Sequence, residues 1–271
     1  MALGLNPAIQ DILFPSSHTH VGSHQNLFIR ELYHAALDLI YPPHCASCGE
    51  ALPAGANKAI CLSCSELSHW IGDNRCQRCG DAVGQGSGVT PECPSCRTYP
   101  PHFLHGVCAV ARYADGPLRD LILGLKFGSK IHIAKPLGEL IAMRVRATHL
   151  VVPGTVLVPT PLTHSAAARR GFNQAHELAL SVSKCLGLPV EHRLLKKIRS
   201  TAPQATLSRK KRRMNLKGAF ACNMKISARY KDYCVLLIDD VITTGSTISE
   251  CARTLGEAGI REVRAAAVAR G

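Results

Sequence analysis

No lysine or arginine occurs in the first 29 residues, so no positively charged leader precedes an apolar core there, and no secretory signal is expected. Long apolar runs are missing too. The longest stretch free of Asp, Glu, Lys and Arg, Ala147 to Ala168, is broken by Pro153, Pro159 and Pro161 and carries His149 and His164, which makes it a poor membrane span. Acids are in short supply, with 19 Asp and Glu against 32 Lys and Arg. The resulting formal charge of +13 predicts attraction to polyanions and persists even if eight thiolates bind two dications. No G-x-x-x-x-G-K-[ST] string is present, which excludes a P-loop, and Gly84-x-Gly86-x-Gly88 does not fit a dinucleotide fingerprint. With 46% hydrophobic and 19% charged residues the chain is not wholly disordered, and 271 residues suffice for one large domain and a small one.

Cysteine, by contrast, is abundant. Eight of the thirteen form four C-x-x-C pairs, Cys45/Cys48, Cys61/Cys64, Cys76/Cys79 and Cys93/Cys96, with gaps of 12, 11 and 13 residues between them. A C-x-x-C turn points two sulfurs at one ion, and two such knuckles complete the tetrahedral shell zinc prefers. Four knuckles give two closed, structural zinc sites. Consecutive pairs form the simplest assignment, and a crossed one stays open on spacing alone. The odd count and the absent leader favour metal binding in a reducing cytoplasm over a secreted disulfide scaffold. Cys108, Cys185, Cys222, Cys234 and Cys251 are scattered and read as buried free thiols.

The texture changes along the chain. Residues 1–40 read as a loose tail followed by a helix over Leu27–Ile40, and 41–104 as the cysteine-rich module. Residues 105–271 alternate strands and helices. The strands are expected at Val107–Tyr113, Val156–Pro159, Tyr233–Ile238 and Val263–Val268, and the helices at Pro117–Lys126, Lys135–Thr148, Asn173–Leu186 and Ser246–Ala258. Such alternation predicts an α/β domain, a mainly parallel sheet with helices on both faces.

The strongest functional signal is the thirteen-residue string Val235-Leu-Leu-Ile-Asp239-Asp240-Val-Ile-Thr243-Thr244-Gly245-Ser246-Thr247. Four apolar residues make a central strand, and two carboxylates stand at its carboxyl end, the edge where open parallel sheets bind ligands. The loop that follows offers four hydroxyls and opens into a helix, whose free N–H groups and positive dipole end favour phosphate. Acids beside a phosphate nest call for a ligand with both hydroxyls and phosphate. A phosphorylated ribose is such a ligand.

This string resembles the signature with which type I phosphoribosyltransferases bind 5-phosphoribosyl-1-pyrophosphate (PRPP). Pro159-Thr160-Pro161-Leu162, Arg170-Gly171-Phe172-Asn173-Gln174, and then Gln204, Leu207, Arg213, Asn215 and Phe220 narrow the likeness to the ComF family, as does the cysteine-rich module before such a domain. The resemblance implies a type I phosphoribosyltransferase-like fold behind a double zinc ribbon. It also implies that Asp239 and Asp240 meet the ribose hydroxyls and that Thr243, Thr244, Gly245, Ser246 and Thr247 hold the 5′ phosphate. Pro159 and Thr160 would lie in the loop near pyrophosphate, with Mg²⁺ bridging pyrophosphate and ribose oxygens. Where relatives often carry a basic residue this chain reads Ser165-Ala166-Ala167-Ala168, and Arg169 and Arg170 supply the nearest positive charge. In competence the family implies a part in handling incoming single-stranded DNA, with competence-machinery proteins as partners.

Arg193–Lys217 holds ten basic residues and no acid. It reads as a solvated face, a hood over pyrophosphate, or a track for a nucleic-acid backbone. With only Phe220 near, base stacking is not written into it. Two functions follow. One is a transferase that displaces pyrophosphate from PRPP. The other is a DNA-associated accessory that keeps the fold and binds single-stranded DNA without turnover.

Overall fold

The computed structural model describes residues 44–53, 60–84, 88–90, 92–98, 100, 103–127, 130–201 and 214–271. The amino-terminal tail and helix, and the run Lys210–Arg213, lie outside them. Contacts divide the chain into Met1–Ser68 with Asp115–Leu121, and His69–Ala114 with Ile122–Gly271. In the first unit, helix α1 (Leu62–Glu66) starts at Cys61, whose sulfur accepts from the Cys64 N–H at 3.4 Å. Leu52 and Ile60 are buried, as are Cys45, Cys61 and Cys64.

The second unit begins with strands β1 (Arg75–Cys76) and β2 (Val89–Thr90), paired in parallel, and helix α2 (Pro94–Thr98). Next come β3 (Val107–Arg112), α3 (Pro117–Phe127), α4 (Ala134–Ala147), β4 (Thr155–Pro159), α5 (His164–Arg170) and α6 (Gln174–Leu186). A short antiparallel pair, β5 (Leu195–Lys197) with β6 (Phe220–Cys222), and helix α7 (Met224–Ser227) precede β7 (Cys234–Ile242), α8 (Ser246–Glu257) and β8 (Glu262–Arg270).

The main sheet has the order β3-β8-β7-β4, and every pairing in it is parallel. Both faces are covered, which is why β7 reads as an unbroken apolar run rather than an alternation. Helices α4 and α6 pack together; α4 contacts β3 and β8, and α6 contacts β4 and β7. Helix α8 lies against β6, β7 and β8, where Val235, Leu237, Val263 and Ala265 meet Ile248, Cys251 and Leu255. Each such fully buried aliphatic chain contributes about 1.5–3 kcal/mol. The α4–α6 crossing depends on Gly138, since a Cβ there would stand 2.4 Å from that of Ser181. Ser181 closes the contact by donating to the Lys135 carbonyl at 2.7 Å. The fold is thus the α/β arrangement with a parallel sheet that the alternation predicts. No helix among the described residues is long and apolar enough to cross a membrane.

One boundary moves, and it bears on the site. Strand β7 does not stop at Ile238 but continues through both acids to Ile242. Its neighbour β8 runs equally far, and the register carries Asp239 against Ala267 and Ile242 against Arg270. The backbone of the acidic pair is therefore fixed in the sheet, and only the loop beyond it is free to shape itself around a ligand.

Candidate functional site

The cysteine pairs gather in consecutive order. Sulfurs of Cys45, Cys48, Cys61 and Cys64 lie within 4.8 Å of one another, and so do those of Cys76, Cys79, Cys93 and Cys96. The crossed pairing is thereby set aside. In the first cluster Cys48 and Cys61 approach to 3.7 Å; in the second, Cys79 and Cys93 reach 3.7 Å and Cys76 and Cys96 3.8 Å. Four thiolates at such spacing repel one another unless a dication sits among them, and this donor set fits zinc. Burial works against ionisation in both clusters. It pushes the Cys64 thiol up to about 12, helped by its three neighbours, and the Cys79 thiol up to about 11. At Cys45 the N–H groups of Cys48, Cys61 and Ser47 outweigh burial and bring the thiol down to about 6. Of the remaining cysteines Cys108, Cys234 and Cys251 are buried, while Cys185 and Cys222 are only partly so.

At the carboxyl edge of the sheet, Asp239, Val241, Ile242, Thr243, Gly245, Ser246, Thr247 and Ile248 line one pocket. Alternation along β7 sends Asp239 and Asp240 to opposite faces, so the two carboxylates are not equivalent. Asp240 is 4% exposed. Its Oδ1 lies 3.3 Å from the Lys126 ammonium and accepts from the Val241 N–H at 2.6 Å; its Oδ2 accepts from Gln174 Nε2 at 3.2 Å. Asp239 is partly exposed and faces the pocket. Burial first, and then the charge of Asp240, push its carboxyl up to about 7, against the pull of Lys126, of the Asp240 N–H and of the Thr160 hydroxyl. One acid is braced beneath the site, and the other is presented.

The loop that follows turns at Gly245, whose φ of +74° lies in the left-handed region. A Cβ there would meet nothing closer than 4.0 Å, so conformation rather than crowding demands glycine. Gly245 also caps α8 without any side-chain partner for the first N–H groups, which leaves donors at the positive end of the helix dipole. Thr244 and Ser246 hydroxyls are 2.8 Å apart.

Other residues singled out in the sequence stand behind the pocket rather than on it. Pro159 ends β4 opposite Ile238, and Thr160 is 5% exposed with its N–H on the Ile238 carbonyl at 2.9 Å. Asn173 caps α6 by accepting from the Ala175 N–H at 3.0 Å, and its Nδ2 donates to the Thr160 carbonyl at 3.1 Å. Arg170 stands over the Phe127 ring, 5.4 Å from its centre. Asn173 thus steadies the Thr160 loop, and Gln174 steadies Asp240.

Lys126 and Arg270 escaped the sequence reading, and Lys197 stood in it only as one of the ten basic residues of Arg193–Lys217. Lys126, at the end of α3, pairs with Asp240. Lys197 on β5 lies 5.7 Å from the centre of the Phe220 ring and is lowered by burial foremost. Arg270, 4% exposed, donates to the carbonyls of Ile242 and Thr243 at the mouth of the loop. Neither the helical spacing around Lys126 nor the strand pattern ending at Arg270 distinguishes these two from any other terminal cation.

Comparison with known families agrees with both halves of this description. A model described as "Double zinc ribbon domain" matches residues 36–98, and one described as "Phosphoribosyl transferase domain" matches 168–271. Sheet, loop and cysteine clusters therefore define a phosphoribosyltransferase-type domain with a double zinc ribbon. "Competence protein F" of Haemophilus influenzae is 34% identical over 196 residues, 71% of this chain and 84% of that protein. "DNA utilization protein YhgH" of Escherichia coli is 33% identical over 220 residues, 76% of this chain and 92% of its own length. "Competence protein ComFC" of Bacillus subtilis is 36% identical over 104 residues, 38% of this chain and 39% of that one. The chain belongs to the ComF family of competence and DNA-utilization proteins.

Proposed function

We propose that the pocket at the carboxyl edge binds PRPP with Mg²⁺ and that an acceptor nucleophile displaces pyrophosphate there, forming a new bond to the anomeric carbon of the ribose as the bond to pyrophosphate breaks. The observation that carries this reading is the sharing of one pocket by the Asp239 carboxylate and the Thr243–Thr247 loop at the amino end of α8. An acid accepts hydroxyl hydrogens, and uncapped N–H groups with threonine and serine hydroxyls donate to phosphate, so the pair suits the two ends of a ribose 5-phosphate. Asp239 takes the ribose hydroxyls in this reading. Asp240 holds Lys126 and Gln174 and keeps the strand end in register. The partly exposed acid also suits a hydrated Mg²⁺, which when bound neutralises charge on departing pyrophosphate. Bond breaking ahead of bond making leaves positive charge on the ribose, which the presented Asp239 carboxylate stabilises. Zinc in the two cysteine clusters is structural in this reading, and free cysteines support a reducing compartment such as the cytoplasm.

The names of the relatives supply a setting, competence and DNA utilization. We connect the activity with incoming single-stranded DNA, attracted by the basic excess of the chain.

A melt followed with increasing Mg²⁺–PRPP tests the reading. Binding to the native state alone adds about 2.7 kcal/mol at a hundredfold excess over Kd, visible as a rise in Tm. Gly245→Val and Asp239→Asn are expected to abolish the rise, ribose 5-phosphate to give part of it, and adenine little. A parent Tm that stays put across millimolar PRPP, with calorimetry in agreement, removes this function.

A further inference from the structure

Arg270 ends β8 with its guanidinium shared between two segments far apart in sequence. Nη1 donates to the Ile242 carbonyl at 3.0 Å and to that of Thr243, where the loop leaves β7 for α8. Nε donates to the carbonyl of Cys79 at 3.2 Å. The sulfur of the same Cys79 belongs to the second cysteine cluster, 3.7 Å from that of Cys93. The knuckle meets the sheet elsewhere too, the Val107 N–H donating to the Gln77 carbonyl at 3.3 Å. One buried side chain therefore joins a metal-ligand peptide to the peptide that opens the loop.

A guanidinium is a planar, rigid fork, so the spacing of the carbonyls it bridges is fixed. Four sulfurs whose donor set fits zinc hold the Cys79 peptide in place while an ion draws them together. Without that ion nothing draws the four sulfurs together, and the Cys79 peptide is free to move. Arg270 must then release Cys79 or drag the Thr243 carbonyl with it.

We propose that Arg270 is a positioning residue through which metal in the second cysteine cluster orders the loop at the carboxyl edge and so raises its affinity for a phosphorylated ligand. The affinity clause rests on the PRPP reading; the coupling of cluster to loop does not. Linkage makes the effect reciprocal, so a ligand on the loop raises this cluster's affinity for metal by the same factor.

Hydrogen exchange on the full-length, zinc-loaded chain reads the coupling without any ligand. In Cys93→Ser, Arg270→Ala and Arg270→Lys, amides of 243–248 are expected to exchange about tenfold faster than in the parent, while α4 and α6 keep parent rates. Cys61→Ser, in the other cluster, is expected to leave the loop at the parent rate. Arg270→Lys keeps the charge and both metal ions but lacks the fork, so it carries the test even if Cys93→Ser fails to fold. Parent-like loop exchange in both Arg270 variants overturns the proposal, as does equal acceleration throughout the second unit.

Calorimetry with Mg²⁺–PRPP on the same proteins reads the affinity clause. The Arg270 variants and Cys93→Ser are expected to bind about tenfold more weakly than the parent, about 1.4 kcal/mol. Unchanged affinity in all three overturns the clause. A parent that does not bind PRPP, with loop exchange still following the metal, removes the ligand reading and supports the coupling.

Discussion

The two cysteine clusters have the same ligands at nearly the same spacing, yet their knuckles are used differently. In the first, the backbone bonds are local. The Cys45 N–H donates to Glu50 at 2.7 Å, the Gly49 N–H to Cys45 at 2.9 Å, and the Ser68 hydroxyl to Cys64 at 2.9 Å. In the second, the knuckle is bonded to strands of the sheet through Gln77 and Cys79. Gly80 lies so close to Val107 that a Cβ would stand 2.9 Å from its carbonyl oxygen. Ligand spacing sets the metal, and the peptides between the ligands set what the metal holds in place.

The largest expected effect breaks that comparison open. Structural zinc in small modules contributes on the order of 10 kcal/mol of folding free energy. Cys61→Ser and Cys76→Ser are each expected to lose one of two zinc ions, as metal analysis would count them. Only Cys76→Ser should also lower the melt of the sheet domain, because its knuckle is bonded to β3 and β8. Iron in place of zinc, or the same sheet melt in both variants, contradicts the distinction drawn between the clusters.

A second comparison, between the neighbouring acids, yields an intermediate effect. Asp240→Asn leaves Lys126, whose side chain is 20% exposed, without its counter-charge. Breaking a wholly buried pair costs about 3–5 kcal/mol, and the water still reaching Lys126 brings this one to about 2–3 kcal/mol. Asp239→Asn leaves that pair intact and should not destabilise the unliganded protein at neutral pH. Denaturant melts of the two variants check the ordering, and equal losses would mean that both acids are braced alike.

How much of this was legible in the sequence follows from whether the cause was local. The apolar run Val235–Ile238 and the loop Thr243–Thr247 announced strand, turn and helix because each step depends on near neighbours. The four C-x-x-C pairs announced two clusters but left their pairing open, since spacing does not encode which knuckles meet. The extension of β7 to Ile242 was hidden because charged residues read as a strand end, and its cause is a partner strand reaching Arg270. The bond that Gln174 makes to Asp240 was hidden because the two lie 66 residues apart. The pair β5–β6 was masked by its lysines, although Leu195 and Phe220 are buried.

The smallest expected effect isolates Asp239 by its titration. Its ordinary value is 3.8, and in the folded protein burial and the charge of Asp240 raise it to about 7. The folded state thus binds this proton more tightly than the unfolded state. Below the ordinary value both states hold it, and the contribution to stability is fully present. As pH rises through about 7 the folded protein must accept a charge that its surroundings oppose, and that contribution is lost. The two values correspond to about 2.7 kcal/mol between pH 5 and pH 8. Solvent screening at this partly exposed acid reduces the component by which the parent is less stable at pH 8 to the order of 1 kcal/mol, about 2–4 °C in Tm. Asp239→Asn carries no such proton, and its Tm should change less across the same interval. Asp240→Asn should flatten the slope as well, by removing the neighbouring charge. The measurement needs no ligand, so it tests the inequality of the two acids apart from any reading of what they bind. Parallel pH profiles for the parent and Asp239→Asn would show that Asp239 ionises like an ordinary surface acid, and the division into a braced and a presented carboxylate would fall.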